Sequence, residues 1–321
     1  MAPEGRAAVW SVDTLLHLGP YLAKNDIDAL EFISRLGISP NIFLQHDAWF
    51  ERDKVLEAGS RLAEVTGIPF AGAFAGNDVP IPNFGTWGTI VSQAETLQQA
   101  CELVRGKLYT IEQGSMVSLR DEDGPLCLAY SIEGPVRDDP LQILLASVAM
   151  LRNVALLYGE ADAVRVHLTM PWSYDARHLE EAFGERLIFN SKFNGVEIDN
   201  DVLANELIAR PTADFATRAI DTTIATATLI NQSLITGNTS IHQIAAHLYI
   251  SVRTLQRRLK YCGVNFEDLL DVSRRDAAVS YLASGASNMS ELATRLGYRD
   301  PANFTRAFKR WTGKPPTKFF N

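Results

Sequence analysis

Residues 240–321 contain the same sequence pattern twice, and this repeat constrains the fold more than any other feature of the chain. In each copy a short segment with paired apolar residues is followed by a turn and then by a basic stretch. The first copy runs from Ile244 to Lys260, and the second runs from Leu292 to Lys309. A short helix, a tight turn and a second helix, repeated, are the outline of two helix-turn-helix units.

Both copies carry the signals that begin a helix. Ser251 and Asp300 stand where an N-cap is expected, because their side-chain oxygens can accept hydrogen bonds from backbone N–H groups of the first turn. Pro301 follows directly, where a helix tolerates proline since that N–H would have no helical partner. The spacing therefore predicts second helices over residues 252–261 and 301–311.

Each predicted second helix has one apolar face and one face of basic, amide and hydroxyl side chains. The apolar residues recur at helical spacing. They are Val252, Leu255 and Leu259 in the first helix and Phe304, Phe308 and Trp311 in the second. An ordinary amphipathic helix with a solvated charged face explains one such unit. Two units with the same caps, apolar spacing and basic face favour a nucleic-acid reader.

The polar faces hold the residue types that hydrogen-bond DNA. Arginine pairs with guanine, asparagine and glutamine pair with adenine, and further basic or hydroxyl side chains bond phosphates. The predicted base-reading residues are Arg253, Gln256, Arg257, Asn303 and Arg306. The predicted phosphate contacts are Arg258, Lys260, Thr305, Lys309 and Arg310. The two helices are expected to enter successive major grooves on one face of the duplex, about 34 Å apart unless the DNA bends.

The distribution of charge along the chain supports a DNA contact at its C-terminal end. The 321 residues carry a net charge of −8. Residues 240–321 hold 13 Lys and Arg against 6 Asp and Glu, a charge of +7, whereas residues 1–239 hold 17 against 32, a charge of −15. Because an acidic surface repels phosphates, DNA contact is expected only in the basic part.

The motifs in the two units are more specific than their general pattern. The first unit reads Ser251-x-Arg253-Thr254-Leu255-Gln256-Arg257-Arg258-Leu259. The second reads Asp300-Pro301-Ala302-Asn303-Phe304-x-Arg306-Ala307-Phe308-Lys309-Arg310-Trp311. With these motifs, residues 244–320 resemble the DNA-binding domain of the AraC/XylS family of bacterial transcription regulators. The resemblance implies promoter DNA and RNA polymerase as partners, and activation as the output. The pair Ala302-Asn303 departs from the usual serine-containing pairs, which leaves the base preference of the second helix open.

The larger N-terminal part is predicted to be an α+β domain, with helices first and then an antiparallel sheet with intervening helices. Helical spacing occurs over residues 12–37, 55–65, 96–109, 141–158 and 175–183. Strand patterns occur over residues 116–120, 126–132, 164–169, 187–189 and 195–198, and the first two form a predicted hairpin. The small residues of Asn83-Phe84-Gly85-Thr86-Trp87-Gly88 indicate a backbone feature without room for side chains.

Motifs in this part resemble a second element of the same regulators. They are Phe84-Gly85-x-x-Gly88, Thr96-Leu97-x-x-Ala100 and Val164-x-Val166-x-Leu168-x-x-Pro171. They are similar to the arabinose-binding-like N-terminal domain of the branch that includes ornithine-utilisation and virulence regulators. The resemblance implies sensing of an unknown small-molecule effector and a possible homodimer. The predicted organisation is an effector-binding and dimerisation domain over residues 1–205, a helical connector over 206–238, and an all-α double helix-turn-helix domain over 239–321.

Two residues are weak candidates for effector binding. Arg152 lies on the mostly apolar predicted helix 141–158, where a guanidinium needs an anion or several acceptors. An internal Asp or Glu and an effector carboxylate or phosphate are the two alternatives for that anion. Trp87 is either a core residue or a platform for a ligand.

Other classes of function lack support in the sequence. It contains no Gly-x-Ser-x-Gly, no Gly-x-x-x-x-Gly-Lys, no His-Glu-x-x-His and no Cys-x-x-Cys motif, so no enzyme activity, cofactor or metal is expected. Three cysteines without paired spacing, no signal peptide and no membrane-length apolar run predict a cytoplasmic protein. The main alternative is a DNA-binding regulator whose N-terminal domain binds a protein partner and no small molecule. An enzyme domain fused to a DNA reader is a further one.

Overall fold

The structure is a computed structural model that describes residues 8–39, 48–120, 124–159, 161–208, 215–236, 239–284 and 288–319. By its internal contacts the chain divides into two units. Within the described ranges, unit 1 comprises residues 8–27 and 48–217, and unit 2 comprises residues 28–39 and 218–319. In those ranges no helix has both the length and the apolar character needed to cross a bilayer.

The predicted classes of secondary structure are confirmed. The strands are β1 (Val9–Ser11), β2 (Trp49–Glu51), β3 (Ser115–Arg120), β4 (Leu126–Ile132), β5 (Val164–His167), β6 (Leu187–Ile188) and β7 (Asn194–Ile198). The helices of unit 1 are α1 (Asp13–Leu16), α2 (Leu18–Lys24), α4 (Arg52–Thr66), α5 (Ala71–Asn77), α6 (Gly85–Val91), α7 (Leu97–Lys107), α8 (Leu141–Leu156) and α9 (Arg177–Phe183). The helices of unit 2 are α3 (Ala29–Arg35), α10 (Phe215–Thr236), α11 (Ile241–His247), α12 (Val252–Tyr261), α13 (Phe266–Ala283), α14 (Met289–Arg295) and α15 (Pro301–Thr312).

Unit 1 is built around a five-stranded sheet with the strand order β3-β4-β7-β5-β6. The neighbours β3–β4, β4–β7 and β7–β5 are antiparallel, as predicted, whereas β5 and β6 are parallel. The parallel pair arises because α9 lies between these two strands in the chain, and a helical crossover brings the second strand back in the same direction. The predicted turn of the β3–β4 hairpin falls mostly on residues 121–123, which lie outside the described residues.

The core of unit 1 lies between α8 and one face of the sheet. Alternate residues of β5 and β7 point into this core, including Val166 and Val196, and α8 contributes Val148 and Val154. Because the β-strand period is two, the intervening residues of the same strands lie on the opposite face of the sheet. Arg165 lies there, and its guanidinium pairs with Glu197 and with Asp199, the latter at 3.2 Å.

The glycine-containing segment at the start of α6 is a place of close backbone approach, as its small residues predict. A Cβ atom on Gly88 would lie 1.9 Å from the carbonyl oxygen of Ile81. Gly85 has a φ of +57°, and a Cβ atom there would lie 2.1 Å from Oδ2 of Asp13. Larger residues at these two positions would therefore collide with neighbouring atoms.

Unit 2 contains the two predicted helix-turn-helix pairs, α11–α12 and α14–α15, joined by the long helix α13. The apolar spacing over residues 266–282 predicts a long helix that buries Phe266, Leu269 and Leu270, and these three residues of α13 are buried. The helical spacing also predicts a buried Ala277, and the structure corrects this, because Ala277 is exposed and Ala278 is fully buried instead. The buried face of α13 is displaced by one residue here because the C-terminal half of the helix packs on the second helix-turn-helix. The contacting residues are Ala278, Tyr281 and Leu282.

Residues 28–39 group with unit 2, although they precede most of unit 1 in the chain. The backbone N–H of Ala29, at the start of α3, donates to the carbonyl oxygen of Gly263 over 3.3 Å. The hydroxyl of Ser39 donates to the carboxylate of Asp276 on α13 over 2.5 Å. The helical pattern predicted over residues 12–37 is therefore three short helices, and the third belongs to the other unit.

Candidate nucleic-acid interface

The first predicted reading helix, α12, begins at the predicted cap. The Ser251 side chain accepts a hydrogen bond from the backbone N–H of Thr254 over 3.1 Å. Leu255 and Leu259 are fully buried on one side of the helix. The other side exposes four of the predicted DNA contacts: Arg253, Gln256, Arg257 and Lys260. Burial of the leucines fixes the rotation of α12, so these four side chains reach solvent together.

The second predicted reading helix, α15, has the same construction. The Asp300 side chain accepts from the backbone N–H of Ala302 over 2.9 Å, and Phe304 and Phe308 are fully buried. The exposed residues include all five predicted contacts on this helix: Asn303, Thr305, Arg306, Lys309 and Arg310.

Four of the five residues on α15 already make polar contacts. Arg306 donates to the side-chain oxygen of Asn303, so these two predicted base readers lie side by side. The Thr305 hydroxyl donates to the Pro301 carbonyl within the helix over 2.9 Å. Arg310 pairs with Asp271 of α13 at 2.5 Å while its side chain stays 66% exposed. Asn303 and Arg306 therefore form one exposed polar patch on α15.

Arg258 differs from the other predicted phosphate contacts. It is half-buried, and its Nη1 donates to the hydroxyl of Thr222 on α10 over 2.9 Å. Its Nε is buried without a hydrogen-bond partner among the residues that the structure describes. The guanidinium therefore ties α12 to α10, and this contact places Arg258 on the inner side of the helix.

A structural role for Arg274 is not evident from the sequence motifs. From α13, its Nε donates to the carbonyl oxygen of Leu296 over 2.9 Å, and its guanidinium carbon lies 4.8 Å from the centre of the Tyr298 ring. Leu296 and Tyr298 belong to the turn between α14 and α15. Arg274 therefore fixes the second helix-turn-helix on the connecting helix. The sequence signal that could have indicated this role is the helical spacing that places Arg274 on the same side of α13 as Leu270.

The two weak effector candidates lie in different surroundings within unit 1. Trp87 is 2% exposed and belongs to the core, with its ring edge-on to Phe84 at 6.1 Å between centres. Arg152 is half-buried on α8, and burial lowers the pKa of its guanidinium. Among the described residues, Arg152 makes no hydrogen bond or ion pair. The internal Asp or Glu partner expected for it is thus not found in those parts of the chain.

Unit 1 also buries an acid that the sequence analysis did not single out. Glu112 is 6% exposed, and the Tyr130 hydroxyl donates to its carboxylate over 2.7 Å. Burial raises the pKa of Glu112 to about 7, because the charged form loses its hydration. No sequence signal marks this residue, since the position is defined by strand and loop packing from distant segments.

The stability of unit 1 is therefore expected to depend on pH through Glu112. The folded unit holds this proton more tightly than the unfolded chain, so the stabilisation is present below the ordinary pKa of 4.5 and is lost as the pH rises to about 7. We expect a decline of roughly 3–4 kcal/mol across this window, at about 1.4 kcal/mol per pKa unit. Urea unfolding between pH 4 and 8 measures it. Glu112→Gln should remove the decline, whereas Glu102→Gln, at an exposed position, should retain it.

Groups that could hold a metal ion are absent from the described ranges, where no three His, Cys, Asp or Glu side chains come together suitably. Cys101, Cys127 and Cys262 are free thiols, and Cys101 and Cys262 are buried.

Comparison with known proteins agrees with both parts of this architecture. Residues 27–207 match the model of the arabinose-binding N-terminal domain of AraC transcription regulators, and residues 244–321 match a helix-turn-helix domain model. The ornithine utilization regulator of Pseudomonas aeruginosa is 26% identical over 268 residues, which cover 79% of each chain. The regulator VirS of Mycobacterium tuberculosis is 28% identical over 332 residues, covering 91% of this chain and 90% of that protein.

Among solved structures, the regulator CdpR from Pseudomonas aeruginosa matches 90% of this chain and 95% of its own, with 22% identity and a TM-score of 0.39. The family assignment rests on the matched domain models, of which the N-terminal one alone spans more than half of the chain. This chain belongs to the AraC family of DNA-binding, helix-turn-helix transcription regulators.

Proposed function

We propose that this protein is a transcription activator whose DNA binding is controlled by a small-molecule effector held in unit 1. The observation that carries the proposal is the position of α3. The match to the arabinose-binding domain begins at residue 27, yet residues 28–39 belong to unit 2. The sensor part of the family architecture therefore contributes residues directly to the DNA-binding part.

Two other elements of unit 2, α3 and α10, bond the first predicted reading helix, α12, or the turn that follows it. The start of α3 bonds Gly263, two residues after the end of α12. Helix α10 bonds α12 directly, because the hydroxyl of Thr222 accepts a hydrogen bond from Arg258. The second reading helix is held instead by α13, through Asp271 with Arg310. A change in unit 1 that shifts α3 or α10 would therefore act on α12 first.

We further propose that the effector carries a carboxylate or another anionic group that binds Arg152. A half-buried guanidinium is unfavourable without an anion, and none of the described residues supplies one. The relative named for ornithine utilisation supports testing amino acids, which carry a carboxylate, among the first candidates.

A thermal-shift screen with amino acids, including ornithine, and simple carboxylates tests the effector. A ligand at a hundredfold its Kd should stabilise the protein by about 2.7 kcal/mol. Arg152→Gln should abolish this stabilisation, while the unliganded variant stays as stable as wild type because an unpaired charge has been removed. Arg105→Gln, at an exposed position on α7, is the matched control and should keep the response. A response that Arg152→Gln leaves intact would contradict the assigned residue, and no response across the panel would contradict the effector class.

Transcription in vitro with bacterial RNA polymerase tests activation. The protein first selects a binding sequence from random DNA, and this sequence is then placed in the promoter of the template. We expect more transcript with protein and effector than with polymerase alone. A fall in transcript would show a repressor.

Exposed apolar residues at the two edges of the sheet favour a second candidate, in which unit 1 binds a protein or a second copy of the chain. Ile188 on β6 is 38% exposed, Met116 on β3 is 49% exposed, and Trp172, which follows β5, is 58% exposed. Edge strands with exposed apolar side chains are suited to pairing with another chain. Light scattering at several concentrations with wild type and Trp172→Ser would reveal a dimer. Co-purification of a defined protein without any ligand response would favour this candidate over the effector.

A further inference from the structure

Tyr249, in the turn between α11 and α12, is both exposed and conformationally unusual. It is 96% exposed, more than any other large apolar side chain in the described ranges. Its φ is +53°, in the left-handed region that side chains other than glycine rarely adopt. The ring thus gives almost no packing to the fold while the backbone adopts an unfavourable conformation.

The second helix-turn-helix shows what this turn ordinarily requires. Gly297 stands at the same position, with a φ of +77°. The backbone hydrogen bonds correspond: the N–H of Tyr249 donates to Ala246 over 3.1 Å, and the N–H of Gly297 donates to Thr294 over 3.0 Å. The two turns therefore begin with the same backbone geometry, which glycine adopts without strain, although the second turn has one more residue before its cap. Packing within the fold therefore does not explain a tyrosine at this position. Unusual backbone conformations cluster at functional sites, so a contact with a binding partner is the alternative explanation.

The position of Tyr249 points to DNA. Ser251, the cap of α12, is only two positions further along the chain, and two residues span at most ~7 Å. In helix-turn-helix proteins the N-terminal residues of the second helix contact base edges in the major groove, which is about 12 Å wide. The residues just before that helix accordingly lie beside the phosphates at the rim of the groove. Tyrosine is among the side chains that donate hydrogen bonds to phosphate oxygens.

We propose that Tyr249 donates its phenolic O–H to a DNA phosphate beside α12 and thereby fixes the register of the first reading helix. The inference rests on α12 docking in the major groove. Because the contact is to the backbone, it contributes to binding of any duplex and carries no base preference. Because tyrosine is neutral, it releases no counterions from DNA.

The test compares Tyr249→Phe and Tyr249→Gly with wild type by fluorescence anisotropy. The duplexes are the sequence selected by the full-length protein and its scrambled version, each measured at several salt concentrations. Both variants should bind both duplexes about five- to tenfold more weakly, with an unchanged slope of log affinity against log salt. Tyr249→Gly should melt at the same or a higher temperature than wild type, which excludes unfolding as the cause. Tyr109→Phe, at a 64% exposed position in unit 1, should bind like wild type.

Arg257→Ala is measured in the same experiment. It tests whether α12 docks in the major groove, independently of the hydrogen bond proposed for Tyr249. If Arg257→Ala weakens binding and Tyr249→Phe does not, α12 docks but the phenolic contact is absent. Loss with Tyr249→Gly alone would assign the effect to the ring and overturn the hydrogen bond. If both Arg257→Ala and Tyr249→Phe bind like wild type, the docking of α12 is wrong and the proposal falls with it. Normal DNA binding by the Tyr249 variants with reduced transcription would assign Tyr249 to a protein contact and would also overturn the proposal.

Discussion

Replacing Phe304 by alanine should destabilise the second helix-turn-helix by about 3–5 kcal/mol, the usual loss for a large aromatic residue removed from a core. Phe304 is fully buried, and its ring centre lies 5.8 Å from those of Phe308 and Tyr298. The cluster that contains it is small, so few neighbouring side chains are available to fill the cavity. Hydrogen exchange resolved over α14 and α15 measures the local free energy of opening.

The neighbouring residue provides a matched control for this variant. Thr305 is exposed, and its hydroxyl bonds only within its own helix. Thr305→Ala should therefore change the opening free energy by no more than about 0.5 kcal/mol. Similar protection of α14 and α15 in the two variants would contradict the assigned core.

Alanine variants of Arg257 and Arg306 should each lose about 1–3 kcal/mol of binding to the selected duplex, because each removes one side chain that is predicted to read a base. The residues lie on different reading helices, so the double variant should lose roughly 2–6 kcal/mol, since effects at distant sites add. Binding to scrambled DNA should weaken less. Fluorescence anisotropy on both duplexes gives all the required values.

Lys309→Ala distinguishes loss of reading from loss of charge. As a predicted phosphate contact, Lys309 should contribute equally to all sequences, so this variant should weaken binding to both duplexes alike. It should also reduce the salt slope by about one. If Arg257→Ala and Arg306→Ala behave in the same way as Lys309→Ala, these arginines are phosphate contacts and not base readers.

The elements that local sequence signals define were predictable. Caps such as Ser251 and Asp300, and apolar spacing such as Leu255 with Leu259, act within one or two turns of chain. They determined the bounds of α12 and the face that it exposes. The left-handed turn at Tyr249 was also within reach, because aligning the two units places this residue opposite Gly297.

Features that depend on distant parts of the chain were not predictable in the same way. The contacts of residues 28–39 with the rest of unit 2 join segments that are more than two hundred residues apart, and no local pattern records them. The inward direction of Arg258 depends on Thr222 of α10, since the spacing within α12 alone leaves that side chain at the edge of the basic face. The burial of Glu112 likewise depends on strand packing and not on its own neighbours in sequence.

The central claim is that α12 and α15 read DNA together, one in each of two successive major grooves. Hydroxyl-radical footprinting of the full-length protein on its selected duplex tests it most directly. We predict two protected segments on one face of the DNA, separated by about one helical turn of 10–10.5 base pairs. Arg257→Ala should weaken protection in one segment and Arg306→Ala in the other. A single protected segment, or two segments that both variants leave unchanged, would contradict the account.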